Sequence, residues 1–272
     1  MELRHLRRLS GTTITPYRIL GAAPGTHLGL PSPTVTLIVD LGRGLTLSTD
    51  TEAPRTFDVA VGGMHPRPVV IHHDGSQVGV QLALPPHAVR ALLGVRAGDV
   101  YSANLPLEAL RPGLARRLHD GLGALADLPS DAVDDDSAVA QRRVTVALLA
   151  DALSGPHPDV PVDPDAEHVW ARLAATRGRV TVAQLVEESG WSARKLTASF
   201  HAEYGLGIKA AARLFRFDHA LAALSAGVPL AETAAACGYA DQAHLSREFT
   251  AHSGLPPRAL LRRRAAEFAD AA

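Results

Sequence analysis

Two short stretches near the end of the chain carry side chains of the types that contact base edges and phosphates. One holds Arg194, Lys195, Thr197, Ala198 and His201; the other holds Gln242, Ala243, Ser246 and Arg247. Arginine can make paired hydrogen bonds to guanine and glutamine to adenine, and an alanine or threonine methyl can touch the methyl of thymine. Taken singly, each of these residues reads as a solvated side chain on a helix surface. Their spacing says more. Leu196 and Phe200 stand four residues apart, as do Leu245 and Phe249, so each pair shares one face of a helix. With those pairs turned to a core, Arg194, Thr197, Ala198 and His201 face outward, as do Gln242, Ala243, Ser246 and Arg247, and Lys195 adds a charge beside the first set.

The elements that must position them recur. Gln184-Leu-Val-Glu-Glu-Ser-Gly-Trp-Ser192 and Glu232-Thr-Ala-Ala-Ala-Cys-Gly-Tyr-Ala240 each give a small apolar helix, a turn glycine and the start of a second helix. One such pattern is also how ordinary helical bundles are built, but two copies separated by one long helix are hard to explain as packing alone. Helical patterns are predicted over residues 165–176, 181–189, 192–203, 208–226, 229–237, 241–252 and 257–269. Thr181 and Ser192 are N-cap residues in this reading, and Pro229 sits in a first turn. Trp191 and Tyr239 follow the two turn glycines and are expected to close the core between helices, with stacking on a base as the alternative. Cys237 lies beside a turn and is read as a small buried hydrophobe rather than a redox group.

Residues 165–268 resemble the DNA-binding domain of the AraC/XylS family of transcription regulators. The resemblance rests most on Leu230 to Phe249 and on Ser253-Gly-Leu-Pro-Pro257, and also on Gly190 to Phe200 and Tyr204-Gly-Leu-Gly207. It implies two helix-turn-helix units held by the long helix from Lys209 to Ala226, with recognition helices entering successive major grooves of double-stranded DNA. By position, Arg194, Thr197 and Ala198 fall where the first unit reads bases, and Gln242, Ala243, Ser246 and Arg247 where the second does. Many members carry a longer polar or basic side chain at the position of Ala198, so readout by the first unit is expected to rest on Arg194 and Thr197.

The first half reads differently. Thr34–Asp40, Phe57–Val61, Val69–His72 and Gln77–Leu84 are β-branched or alternating runs between turn clusters, which predicts a small antiparallel, barrel-like sheet. Pro85-Pro-His opens a short helix from Ala88 to Leu93, and Pro112-Gly113 another bearing Leu114, Leu118, Leu122 and Leu125. A further helix is expected from Ser137 to Leu153, after the acidic run Asp131–Asp136. These leucine stripes are read as packing on the sheet, with a dimer face as the alternative. Four prolines and a glycine make Ser154–Pro164 a linker, giving an N-terminal sensing or dimerisation domain (1–153) and a DNA-binding domain (165–272). The first half also resembles, less specifically, the N-terminal regions of actinobacterial AraC-like regulators, through Leu30–Asp40, Val61-Gly-Gly63 and Gly79–Leu82 leading into Pro85.

The overall expectation is an α+β chain: a sheet domain with helices, then an all-α domain. Within 272 residues, 46% are hydrophobic and 20% charged, as in a soluble globular protein. A formal net charge of −1 argues against a non-specific coat on nucleic acid, so local clusters must carry any contact with DNA: Arg194-Lys195, Arg213 with Arg216, and Arg262-Arg263-Arg264. The single cysteine, the lack of a secretory leader and the lack of a long apolar run point to cytoplasmic residence. His65, His72, His73 and His87 are the metal-like grouping, read as turn or surface histidines because neighbours on a strand face opposite ways. No catalytic motif, metal or cofactor is expected. Possible partners beyond DNA are a small-molecule effector, RNA polymerase and a second copy of the chain. The alternative is a metal- or small-molecule-binding protein or enzyme with a DNA-tethering tail.

Overall fold

The computed structural model describes residues 9–123, 146–147, 150 and 161–269. In the first half the strands are β1 (Thr13–Ile19), β2 (Gly25–Gly29), β3 (Val35–Asp40), β4 (Leu45–Ser48), β5 (Arg55–Phe57), β6 (Val59–Gly62), β7 (Val69–His73), β8 (Gln77–Leu84) and β9 (Asn104–Pro106). They form two antiparallel sheets rather than one, ordered β1-β8-β3-β6-β9 and β2-β7-β4-β5. The expected single strand Phe57–Val61 is cut at Asp58. Phe57 pairs with Leu45 in the second sheet, while Val59 pairs with Val39 in the first. The chain therefore crosses between sheets within three residues.

Alternation on the first sheet decides what each face does. Val35, Leu37 and Val39 on β3, with Val80, Leu82 and Leu84 on β8, are all but inaccessible to solvent, and the register sets Leu37 between Val61 and Leu82. Two helices cover this face: α1 (Pro86–Leu93), bringing Ala88, Val89 and Leu92, and α3 (Pro112–Leu122), bringing Leu114, Leu118 and Leu122. A one-turn α2 (Leu107–Leu110) precedes α3. The leucine stripe of α3 thus packs on the sheet, as its periodicity predicts. Burying each such leucine contributes about 1.5–3 kcal/mol. Leu125 and the acidic run lie outside the described residues, as does almost all of the expected helix Ser137–Leu153; within it, Val146 is exposed.

The second half is α4 (Pro164–Ala175), α5 (Val182–Ser189), α6 (Ala193–Tyr204), α7 (Ile208–Ser225), α8 (Leu230–Ala236), α9 (Gln242–Ser253) and α10 (Pro257–Ala269). Every helix starts and stops within one residue of its expected bounds, because the capping residues are explicit in the sequence. Thr181 and Gln184 form a reciprocal capping box on α5, and the Ser192 hydroxyl accepts from the Lys195 amide at the start of α6. Pro229 stands at the cap position just before α8, not within its first turn.

The two halves share buried surface. Arg90 on α1 donates from Nε to Glu203 Oε1 at 2.8 Å, from Nη2 to Glu203 Oε2, and from Nη1 to the carbonyl of Pro161. Both ion-pair partners are only 5% exposed. Of the expected linker, Pro161 is thereby tied down, and Pro164 opens α4. Beside this pair, a 3-10 turn (Ala97–Val100) packs on α6. Glycine is required at its residue 98, where a Cβ would sit 2.8 Å from the Gly205 nitrogen and 2.9 Å from the Glu203 carbonyl oxygen. A second contact lies at the other end, where Arg263 Nη2 donates to the Thr26 carbonyl at 3.2 Å and Leu28 and Leu30 pack near Leu260.

A buried charge left without its partner is expensive. Glu203→Ala is expected to destabilise the protein by ~3–5 kcal/mol in denaturant unfolding, and the paired change Arg90→Met with Glu203→Leu to recover most of that loss. A Glu203→Ala effect below about 0.5 kcal/mol, the size seen at ordinary surface sites, would show that the pair does not hold the halves together.

Candidate nucleic-acid interface

The first unit is α5, a turn and α6. Gly190 closes α5 at φ +69°, a left-handed conformation that glycine adopts without strain, and Ser192 starts α6 two residues later. The second unit repeats this with α8, Gly238 at φ +77°, and α9, whose N-cap Asp241 accepts from the His244 amide. Both expected anchor pairs face inward: Leu196, Phe200, Leu245 and Phe249 are 0% exposed.

The opposite faces are open. Arg194, Lys195, Thr197, Ala198 and His201 are exposed on α6, and Gln242, Ala243 and Arg247 on α9. Ser246 is half-buried, and its hydroxyl donates to the Gln242 carbonyl at 2.9 Å, so it would have to exchange that bond to reach a base. Among the described residues, Arg194 and Arg247 join no ion pair, whereas Arg216 and Arg263 of the other basic clusters do. Arg216 donates to both oxygens of Glu248 and to the Gly178 carbonyl, fastening α7 to α9. Arg263 is held by Glu267 and the Thr26 carbonyl. Arg216 and Arg263 therefore serve the fold.

The aromatic cores of the units come partly from residues the motifs do not contain. Trp170 on α4 packs on Tyr204 at 4.4 Å and on Phe215 at 5.2 Å between ring centroids, and Phe200 lies 4.7 Å from Tyr204. In the second unit Phe217 meets Phe249 at 4.9 Å. Tyr239 is buried as expected, but Trp191 is not: it is 40% exposed and the Lys195 ammonium sits over its ring. Trp170 and its partners already fill the first core and leave Trp191 outside, beside the reading face. Cys237 is buried against His219, and desolvation raises its thiol pKa against the pull of Arg177 and Arg179, so it stays a protonated core residue.

A second feature lies between the sheets. The face of the first sheet turned away from the helices carries Thr13, Thr15, Thr36, Ile38, Ala60, Gln81 and Ala83, and the facing sheet contributes Leu47, Val69 and Ile71. These side chains leave a cavity of about 450 Å³, whose lining also includes His65, Asn104 and, from α7, Asp218. The four histidines do not converge. His65 is buried rather than at the surface, 3.1 Å from Asn104 Oδ1; His72 bonds to Ser48, and His87 to Ser10. His73 lies beside His27, with ring centroids 5.7 Å apart. No cluster of three or more metal-ligating side chains occurs among the described residues, nor does a helix long and apolar enough to cross a membrane.

Residues 185–263 match the family model described as a helix-turn-helix domain. That segment runs from within α5 to within α10 and so contains both helix-turn-helix units. Three solved structures of ToxT from Vibrio cholerae share the fold of both halves. The first, at 1.65 Å resolution, aligns over 92% of this chain and 98% of its own with TM-score 0.51 and 11% identity. The second, from strain O395, is bound to (E)-4-(8-methylnaphthalen-1-yl)but-3-enoic acid and aligns over 92% and 98% with TM-score 0.52 and 10% identity. The third, wild-type ToxT bound to unsaturated fatty acid, aligns over 93% and 95% with TM-score 0.51 and 11% identity. No curated protein matches the chain.

Two histidines line the cleft between the halves, the buried His65 from the first and the half-buried His252 from α9. Desolvation holds both imidazoles below their ordinary pKa, only partly offset by the hydrogen bonds that His65 donates to Asn104 Oδ1 and His252 to the Pro66 carbonyl. The unfolded chain therefore takes up protons near pH ~6.5 that the folded chain refuses, and stability must fall as pH drops below that value. The urea midpoint is expected to decline on going from about pH 7.5 to about pH 5.5, and the double variant His65→Gln, His252→Gln to flatten that decline. A midpoint that rises on acidification in this window would contradict the assignment.

Proposed function

We propose that this protein is a sequence-specific transcription regulator whose two recognition helices, α6 and α9, enter successive major grooves on one face of DNA, ~34 Å apart. The observation that carries this reading is the pairing on each helix of a fully buried Leu/Phe anchor with an exposed outer face bearing an arginine that joins no ion pair among the described residues. Arg194 and Thr197 are the readers of the first unit, with Ala198 limited to methyl contact and Lys195 and His201 placed for phosphates. Gln242, Ala243, Ser246 and Arg247 are the readers of the second.

In this reading residues 1–153 sense an effector, 154–164 connect, and 165–272 bind DNA. The cavity between the sheets supports the sensing role, since about 450 Å³ lies within the ~300–1,000 Å³ usual for ligand pockets. That two ToxT structures of the same fold hold organic acids adds support. The protein acts through binding rather than catalysis, at DNA in the cytoplasm, with RNA polymerase and a second copy of the chain as the partners such a regulator would engage.

Titration against genomic promoter fragments and random duplex at one fixed salt concentration is expected to reveal sites bound at least ~10³-fold more tightly than random sequence. Arg247→Ala should weaken binding to such a site by ~1–3 kcal/mol and relax its preference at one base position. Equal affinity for every duplex, or an Arg247→Ala protein that binds its site unchanged, would contradict the proposal.

A further inference from the structure

The cavity between the sheets has two unlike walls. Val35, Leu37 and Val39 of β3 and Val80, Leu82 and Leu84 of β8 point to the helices, so the inner face of the first sheet is left with threonines, Gln81, small residues and Ile38, while the opposite wall is Leu47, Val69 and Ile71. Packed sheets ordinarily interdigitate apolar inner faces. Here one wall offers hydroxyls and an amide around Ile38, the other offers hydrocarbon alone, and the space between stays open.

The charge of the lining is one-sided. Among the described residues that line the cavity there is no lysine or arginine, and the one carboxylate is Asp218, supplied by α7 of the DNA-binding half. Asp218 is exposed on α7 and also lines this cavity. Among the described residues it has no hydrogen bond and no ion pair, whereas the buried Glu203 is fully matched by Arg90. Desolvation holds its carboxyl above the usual carboxylate range, with no nearby cation to bring it down. A carboxylic acid as ligand would place a second negative charge in a space that has nothing to pair with it.

We propose that this cavity takes an organic cation, a protonated amine whose ammonium pairs with Asp218 and whose aliphatic body lies on Leu47, Val69 and Ile71. This assignment rests on the reading of the cavity as an effector site and adds to it the charge and shape of the effector. It also says how occupancy reaches the DNA-binding half. Asp218 adjoins Phe217, the residue through which α7 holds the second unit at Phe249, so the ligand's charged end bears directly on the helix that spaces the two units.

A matched series of equal chain length, octylamine, octanol and octanoate, separates the possibilities by calorimetric titration of the full chain at neutral pH. Octylamine is expected to bind roughly tenfold or more tightly than octanol, as a hydrogen bond to a charged group allows, and octanoate to bind weakest. Asp218→Asn should reduce octylamine to the level of octanol while leaving octanol unchanged, which also reports that the variant is folded. Octylamine no tighter than octanol in the unmodified protein, or a preference for octanoate, overturns the cation assignment and leaves the ligand-binding reading standing. Octylamine binding that survives Asp218→Asn also overturns it. Failure of all three compounds to bind overturns both.

Discussion

Phe215 and Phe217 stand two positions apart on α7, and at 3.6 residues per turn that offset sends them to opposite sides of the helix. Phe215 enters the first unit's core against Trp170, and Phe217 enters the second unit's core against Phe249. One helix of 18 residues, about 27 Å long, is thereby a shared wall for both helix-turn-helix units. Everything proposed about DNA depends on that constraint. Two recognition helices on a flexible tether would search grooves independently, whereas two helices packed on one rigid rod present a fixed spacing.

The same economy extends to the first half of the protein. The core that begins with Val35, Leu37 and Leu82 continues without a break through Leu92 and Val100 to Leu206 and Leu214, so the sheet domain and the first unit share one hydrophobic cluster. The Arg90–Glu203 pair sits within this contact and fixes its register, because two charges removed from water tolerate little displacement. The back of α6 is thus held by the sheet domain while its outer face remains free. α7, with Asp218 in the cavity wall and Phe215 and Phe217 in the two unit cores, touches every functional part of the molecule.

The legible parts of the sequence were those governed by local rules. Capping residues, turn glycines and four-residue spacing mark all the helices from α4 to α10 and both inward anchor pairs. The strands were harder. β1 contains Pro16 and Arg18, β2 is the short run Gly-Thr-His-Leu-Gly, and β9 ends in Pro106, so none shows the alternation of β3 or β8. That the sheet is in fact two sheets turns on Asp58, where no local signal marks a crossing. Contacts between residues far apart in sequence were invisible: Arg90 and Glu203 are separated by 113 positions, and no pattern links them. Of the candidate reading residues, burial agrees with the outward placement for all but Ser246, which is half-covered and bonded to its own helix. Trp191 was misplaced because the motif position alone does not reveal that Trp170 fills the adjoining core.

The central claim is that two units held at fixed spacing read two grooves of one DNA face. Hydroxyl-radical footprinting of the full chain on a bound promoter fragment tests it directly. The account predicts two protected tracts on the same face, centred ~10 base pairs apart, with the tract over the second unit weakened by Arg247→Ala and the other retained. A single protected tract, or two tracts whose separation varies from site to site, would contradict it.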